Sequence, residues 1–212
     1  MKNRRFWFIL CCALALAIGA GATWALWPAP QQAPAVKPSS QDDYPILPIP
    51  PTIQLRPISL VDQVDLSTLI VDATVAEVKP VENRVSITPY QVQPIYLTVN
   101  EKLMGADDSK QILMYITNIQ LGCVPDFQPG DRLIFMLSEY EDGYASPMVN
   151  TGFYYVAADD KVYPARVTEE LRSHSGQSLS SFKSEIHSLA QQKLTAMIRE
   201  GLQGGSEAGS AQ

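Results

Sequence analysis

Nucleophile chemistry has one spacing to offer in this 212-residue chain. Ser180-Ser181-Phe182-Lys183 sets a lysine three residues after a serine at the start of a helical stretch. In that arrangement an amine can relieve a serine hydroxyl of its proton. Neither a Ser-Asp-Asn nor a Lys-Thr-Gly triplet completes the set, so the expected roles are a capping serine and an exposed lysine. A serine–histidine hydrolase needs an imidazole held by an acid. His174, in a Ser/Gly-rich loop, and His187, on a helix, have no such context. Two histidines and three cysteines give little material for a transition-metal centre. The carboxylates of Asp107-Asp108, Glu139 to Asp142 and Asp159-Asp160 could offer oxygens to calcium. None has EF-hand spacing, and aspartate is itself a turn former. Cys123 is a lone thiol in Gly-Cys-Val-Pro, expected to be buried or free rather than bridged to a second copy. The expectation is therefore a non-enzyme with no catalytic residue, no metal and no cofactor. A hydrolase or peptidase built on Ser180 and Lys183 stands as the alternative.

Binding is the better supported chemistry. Eight of the nine tyrosines fall between residues 90 and 163. Tyrosine joins an apolar ring to a polar tip and is favoured in interfaces. Tyr140, Tyr144, Tyr154 and Tyr155, with Phe153, are the candidate binding face for a protein or glycan partner. Adjacent strand residues point to opposite faces, so part of the Phe153-Tyr154-Tyr155 run must be core. Nucleic acid is not expected. The formal net charge is −6, and phosphate neutralisation needs clustered lysine and arginine.

The amino terminus sets the compartment. Lys2, Arg4 and Arg5 precede 22 uncharged residues, 6–27, which as a helix would span about 33 Å, one hydrocarbon core. The basic end should stay cytoplasmic and the rest be exported. Phe6, Trp7, Trp24 and Trp27 suit the two membrane interfaces. Residues 1–27 are thus a transmembrane anchor in contact with lipid, or a signal peptide cut after Ala22, in which case the protein is secreted. Residues 28–212 carry 13 basic and 22 acidic side chains, an acidic exported part on a basic-ended anchor.

The elements that must position the candidate residues follow. Residues 28–57 hold nine of the 16 prolines and should form a semi-rigid spacer. Ser59 can cap a short helix over LVDQV, with Asp62 in its first turn. Strands are expected at 69–79, 95–103, 111–117 and 132–138, then a terminal hairpin of FYYVAA and KVYPA turned at Asp159-Asp160. Residues 82–94, with Pro89 and Pro94, are less regular. The unbroken apolar run RLIFMLS suggests a strand buried on both faces. Five or six strands with tight turns predict a mainly β domain, a small antiparallel barrel, over 58–166. Residues 167–202 should be a loop and an amphipathic helix. Leu179, Phe182, Ile186 and Leu189 form its stripe, Leu194, Met197 and Ile198 extend it, and Gly201, Gly204 and Gly205 end it. Residues 203–212 should be a disordered tail.

The stretches SLVDQVDLSTLIVDATVAEV, YLTVNEKLMG, FQPGDRLIFML and GFYYVAADDKVYPA, in this order, resemble a family of uncharacterised exported bacterial domains. These have an OB-like barrel similar in fold to netrin-type and tissue-inhibitor-of-metalloproteinases-like domains. The resemblance covers about residues 58–190 and implies a fold more than an activity. The animal inhibitors act through an amino-terminal cysteine and several disulfides, whereas Cys123 is the single cysteine of this domain. Protease inhibition is therefore not carried over. Gly130-Asp131-Arg132 before LIF looks superficially like a signal-peptidase box, but no serine box adjoins the anchor. The function expected is a membrane-anchored, extracytoplasmic binding or adaptor module, or a structural subunit of a cell-envelope complex.

Overall fold

Ser59 opens the first helix, α1 (Leu60–Leu66), through a capping box. Its hydroxyl accepts from the Asp62 N–H at 3.2 Å, and the Asp62 carboxylate accepts from the Ser59 N–H at 3.0 Å. The computed structural model describes residues 58–85, 89–149 and 151–207, with side chains as far as Arg199. The expected anchor and proline-rich linker, residues 1–57, lie outside the described residues, as do residues 208–212. Among the described residues no helix is long and apolar enough to cross a membrane.

Nine strands follow: β1 (Leu69–Val78), β2 (Glu82–Val85), β3 (Pro89–Met104), β4 (Gln111–Thr117), β5 (Arg132–Tyr140), β6 (Gly143–Ala145), β7 (Phe153–Val156), β8 (Lys161–Pro164) and β9 (Gln177–Ser178). A 3-10 turn at Arg172–His174 precedes β9, and the chain ends in α2 (Leu179–Glu207). The architecture is mainly β with a long carboxy-terminal helix. The sheet order is β1-β3-β4-β6-β5-β7-β8-β9, and β1 also pairs with β5. The ladder from β1 through β3, β4, β6 and β5 thus returns to β1, but it is not a regular barrel. The expected all-antiparallel arrangement is also corrected. β6 is three residues long and meets β4 in parallel through Met114↔Tyr144 and Tyr115↔Ala145.

The prolines of residues 82–94 do not interrupt the sheet. β3 runs 16 residues from Pro89 and includes Pro94. Pro94 sits where the partner of β3 changes from β2, paired as far as Val92, to β1, paired from Ile95. Its carbonyl accepts the Lys79 N–H at 2.9 Å. Proline cannot return a donor to Lys79; the Gln93 side-chain amide does so, at 3.2 Å from the Lys79 carbonyl. A ladder bond is replaced by a side chain one residue away, a substitution invisible to alternation rules.

Two apolar clusters follow from strand alternation. Leu133, Phe135 and Leu137 of β5 face inward with Leu69, Val71, Ala73, Val75, Ile95, Leu97 and Met114. Ile134 and Met136 face the other way, onto Leu60 and Val64 of α1 and Leu179, Phe182 and Ile186 of α2. β5 is therefore buried on both faces, as its unbroken apolar run implies. On the helix-covered face of β1, Ile70 is followed two residues later by Asp72, a carboxylate beneath α2 that is fully buried.

Only the first half of the α2 stripe packs on the sheet. Phe182 and Ile186 are buried and Leu189 is half-buried, whereas Leu194, Met197 and Ile198 are exposed. Lys193 marks the crossing. Its ammonium donates to the carbonyls of Val64, Asp65 and Ser67 at 3.1, 2.7 and 2.7 Å, a cation on the orphan carbonyls at the end of α1. The helix runs past Gly201, Gly204 and Gly205 to Glu207. Glycine disfavours a helix interior by about 1 kcal/mol but does not stop it without a cap.

Candidate functional site

Two segments converge on Tyr115 of β4. The β2–β3 hairpin brings Arg84 and Tyr90, which are cross-strand partners. The two-residue turn between β5 and β6 brings Glu141 and Asp142, with Tyr140 as its last strand residue. The Tyr115 hydroxyl donates to the Asp142 carboxylate at 2.7 Å and accepts from Arg84 Nη2 at 3.1 Å. The Arg84 guanidinium lies 4.6 Å from the Tyr115 ring centroid, a cation–π contact. It also pairs with Glu141, which accepts the Tyr90 hydroxyl on its other oxygen. Tyr140 meets Tyr115 edge to face at 5.8 Å between centroids.

The turn is built to hold this pose. Glu141 has φ +51, a left-handed conformation uncommon for a residue with a side chain. Gly143 lets the turn lie against β4, because a Cβ there would stand 2.5 Å from the Leu113 carbonyl oxygen. Gly143→Ala is expected to lower stability by about 1–3 kcal/mol through overpacking against backbone. A urea midpoint equal to that of the wild type would contradict this reading of the contact.

Protonation states follow from the neighbours. Burial, then the Asp142 contact, pushes the Tyr115 phenol above its ordinary range, while Arg84 opposes both. Burial and Glu141 do the same at Tyr140, and the Glu141 hydrogen bond does so at Tyr90. The Tyr115 hydroxyl holds the Asp142 carboxyl below its usual value. Arg84 is held above its usual range by Tyr115 and Glu141. At neutral pH the three phenols are therefore protonated, the Asp142 carboxyl is ionised and Arg84 is a guanidinium cation. Tyr115 itself is buried, 1% exposed, and supports a surface on which the half-buried Tyr90, Tyr140 and Arg84 stand with the exposed Glu141 and Asp142, two acids to one base.

Of the tyrosines singled out in the sequence, Tyr140 belongs to this cluster. Tyr144 stands beside it on β6, half-buried, and donates to Asp107 at 2.9 Å; burial and that acid push it up to about 12. Tyr154 and Tyr155 do not line a surface. Tyr154 is fully buried, donates to Gln63 of α1 at 2.8 Å and packs on Phe182 at 4.7 Å. Tyr155 is in the inward cluster with Phe153. Arg84, Tyr90 and Tyr115 were the residues missed. Arg84 and Tyr90 stand in the stretch read as irregular, and Tyr115 in a strand read for its apolar pattern.

The Ser180–Lys183 spacing leads elsewhere. Ser180 Oγ is 3.4 Å from Ser178 Oγ, while Lys183 is not the exposed lysine expected. Its ammonium donates to Asp72 Oδ2 at 2.6 Å and to Glu101 at 2.7 Å. Burial pushes the Lys183 amine down, and the two carboxylates more than reverse that, holding it above its usual range. A proton so retained is unavailable for taking another from serine. Among the described residues no group of three His, Cys, Asp or Glu side chains converges as metal ligands. Asp108 pairs with Lys102, and Asp159 with Lys161.

No known protein family matches the chain, and no curated protein matches it.

Proposed function

We propose that the protein is a non-enzymatic, membrane-anchored extracytoplasmic binding module of OB-like topology, and that the face formed by the half-buried Tyr90 and Tyr140 with Arg84, over the buried Tyr115, holds a neutral oligosaccharide. The sequence of residues 1–27 supports the anchor. The order of the strands supports the OB-like reading. With β2 taken as an excursion of the first connection, the ring runs first, second, third, fifth and fourth strand and back to the first. Its third and fifth strands are parallel. OB folds bind ligands on the second and third strands and on the loops after the first and fourth strands.

The observation that carries the reading is where the cluster lies. Arg84 and Tyr90 belong to the first connection and its hairpin with β3, Tyr115 to the third ring strand, and Glu141 and Asp142 to the loop after the fourth. The chemistry selects the ligand class. Aromatic faces suit the apolar faces of sugar rings, and carboxylates and a guanidinium suit their hydroxyls. Excess negative charge disfavours a polyanion.

Titration calorimetry of the full chain with neutral oligosaccharides of three to six sugars tests this. Binding is expected for at least one sugar series. It should weaken about tenfold or more, ~1.4 kcal/mol, in Tyr140→Ala and in Arg84→Ala. Tyr96→Ala, an exposed tyrosine beside Lys79, should leave affinity unchanged. No sugar binding at millimolar concentration, or binding indifferent to Tyr140→Ala, would overturn the assignment.

A further inference from the structure

Beyond Lys193, α2 continues from Leu194 to Glu207, about four turns. Every side chain from Leu194 to Arg199 is exposed. Leu194, Met197 and Ile198 are 58%, 59% and 56% exposed. Their spacing puts three large apolar side chains on one face of the helix. This half also holds Gly201, Gly204 and Gly205. A short, glycine-rich helix is marginal in water without tertiary cover. Among the described residues nothing covers it.

The place where the described chain begins supplies a cover. Ile58 is half-buried and packs against the cluster of Leu60, Val64, Phe182 and Ile186. The preceding chain therefore arrives on the helix-covered face of the sheet, where α2 lies. That chain includes Tyr44 to Leu55, YPILPIPPTIQL, which has no charged residue and four prolines. Proline favours the polyproline helix, with three residues per turn and about 3.1 Å of rise per residue. With that period Ile46, Ile49, Thr52 and Leu55 fall on one edge, and Leu47 and Ile53 on the next. Such a strip is already extended, so it loses little entropy on docking.

The reach is sufficient. From Ser59 to Ser67 α1 covers about 12 Å, and Lys193 to Ile198 on α2 about 7.5 Å. The Lys193 ammonium, 2.7 Å from the Ser67 carbonyl oxygen, joins the two helices. With the lysine side chain, the path from Ile58 to Ile198 is about 30 Å. Ile49 lies about 28 Å and Ile46 about 37 Å before Ile58 along a polyproline helix. Val61 and Leu66, exposed on the two flanks of α1, offer apolar surface on either route. A second copy reaches the same face only by encounter, whereas a tethered segment stands at about millimolar effective concentration.

We propose that residues 44–55 dock as a polyproline strap on the distal apolar face of α2, with Ile46 and Ile49 on Leu194, Met197 and Ile198. The strap covers the helix end and ties the amino-terminal chain to the domain from Tyr44 onward. It is independent of the sugar reading of the tyrosine face.

Photo-crosslinking of the full chain in lipid nanodiscs tests this, with Met197→p-benzoylphenylalanine as the probe and peptide mass as the readout. Equal amounts of unlabelled and isotope-labelled copies separate links within a chain from links between chains. Links within one chain, landing in residues 44–55, are expected. In Ile46→Ser combined with Ile49→Ser their yield should fall about tenfold, the loss of two apolar contacts. Amide exchange of residues 196–207 should speed up about tenfold in the same variant, because the helix end loses its cover. Val36→Ser, ahead of the strap, should change neither. Mixed-isotope links would overturn the proposal in favour of a second copy, and lipid adducts in favour of a membrane-lying helix. No adduct, or links within one chain that land outside residues 44–55, would overturn it as well.

Discussion

Asp72→Asn is expected to destabilise the domain by about 3–5 kcal/mol. The Asp72 carboxylate is fully buried. It accepts from Arg132 Nε and Nη2 at 2.9 and 2.7 Å, from Lys183 Nζ at 2.6 Å and from Asn100 Nδ2 at 3.1 Å. It therefore ties β5, β3 and α2 to β1 at one point. Asparagine keeps the shape but not the charge, and leaves two cations facing each other across a neutral amide. Arg132 can regain water, its side chain being 38% exposed, but Lys183 at 14% can do so far less. The loss should therefore lie toward the lower end of the range. The urea midpoint measures it, and a loss below about 1 kcal/mol would sink the clamp reading. The pH dependence gives a second signature. Burial pushes the Asp72 carboxyl up, but hydrogen bonds from Arg132, Lys183 and Asn100 outweigh it and hold the group below 3.8. A depressed carboxyl contributes stability above its unfolded-state pKa, near 4, and loses it as pH falls through the folded value. The gap between wild type and Asp72→Asn should thus be full at neutral pH and close progressively below about pH 4.

How much of this was legible in the sequence depends on the kind of residue. Helix α1 could be read from Ser59 and Asp62, because a capping box is a local signal. The five apolar residues Leu133–Leu137 announced β5, because burial on both faces erases alternation. Asp72 could not be placed. It stands within LIVDATV, where alternation puts it on the face of Ile70, and its partners lie 28, 60 and 111 residues away. Lys183 was misread for the same reason, since its exposure is decided by a carboxylate on another element. The tyrosine face was half legible. Composition marked the region, but Tyr154 and Tyr155 were drawn into it although the strand must bury them. Arg84 and Tyr90 were missed because Pro89 and Pro94 read as breaks. The sheet tolerates Pro94 at a change of partner and repairs the lost donor with Gln93, a tertiary solution with no local signature.

Phe182→Ala should remove about as much stability as Asp72→Asn, about 3–5 kcal/mol, by a different route. The ring is fully buried, 4.7 Å from the Tyr154 ring and 5.5 Å from the His174 ring, and it is the largest apolar anchor of α2. Deleting it leaves a cavity between the helix and β7–β8 that the neighbouring strands cannot close without breaking the Tyr154–Gln63 hydrogen bond. The deleted ring carries no charge, so its loss should stay nearly constant as pH falls from 7 to below 4, where the Asp72→Asn loss shrinks. Because Phe182 and Lys183 are consecutive on α2, both variants free the same helix. The double variant should therefore lose less than the sum of the two, a coupling readable by a double-mutant cycle. Strict additivity would mean that Asp72 stabilises the sheet rather than the docked helix. The Tyr115 cluster draws no residue from α2, so Phe182→Ala should keep its sugar affinity at temperatures where it remains folded. Sugar binding lost together with helix protection in hydrogen exchange would show that the face depends on α2 after all.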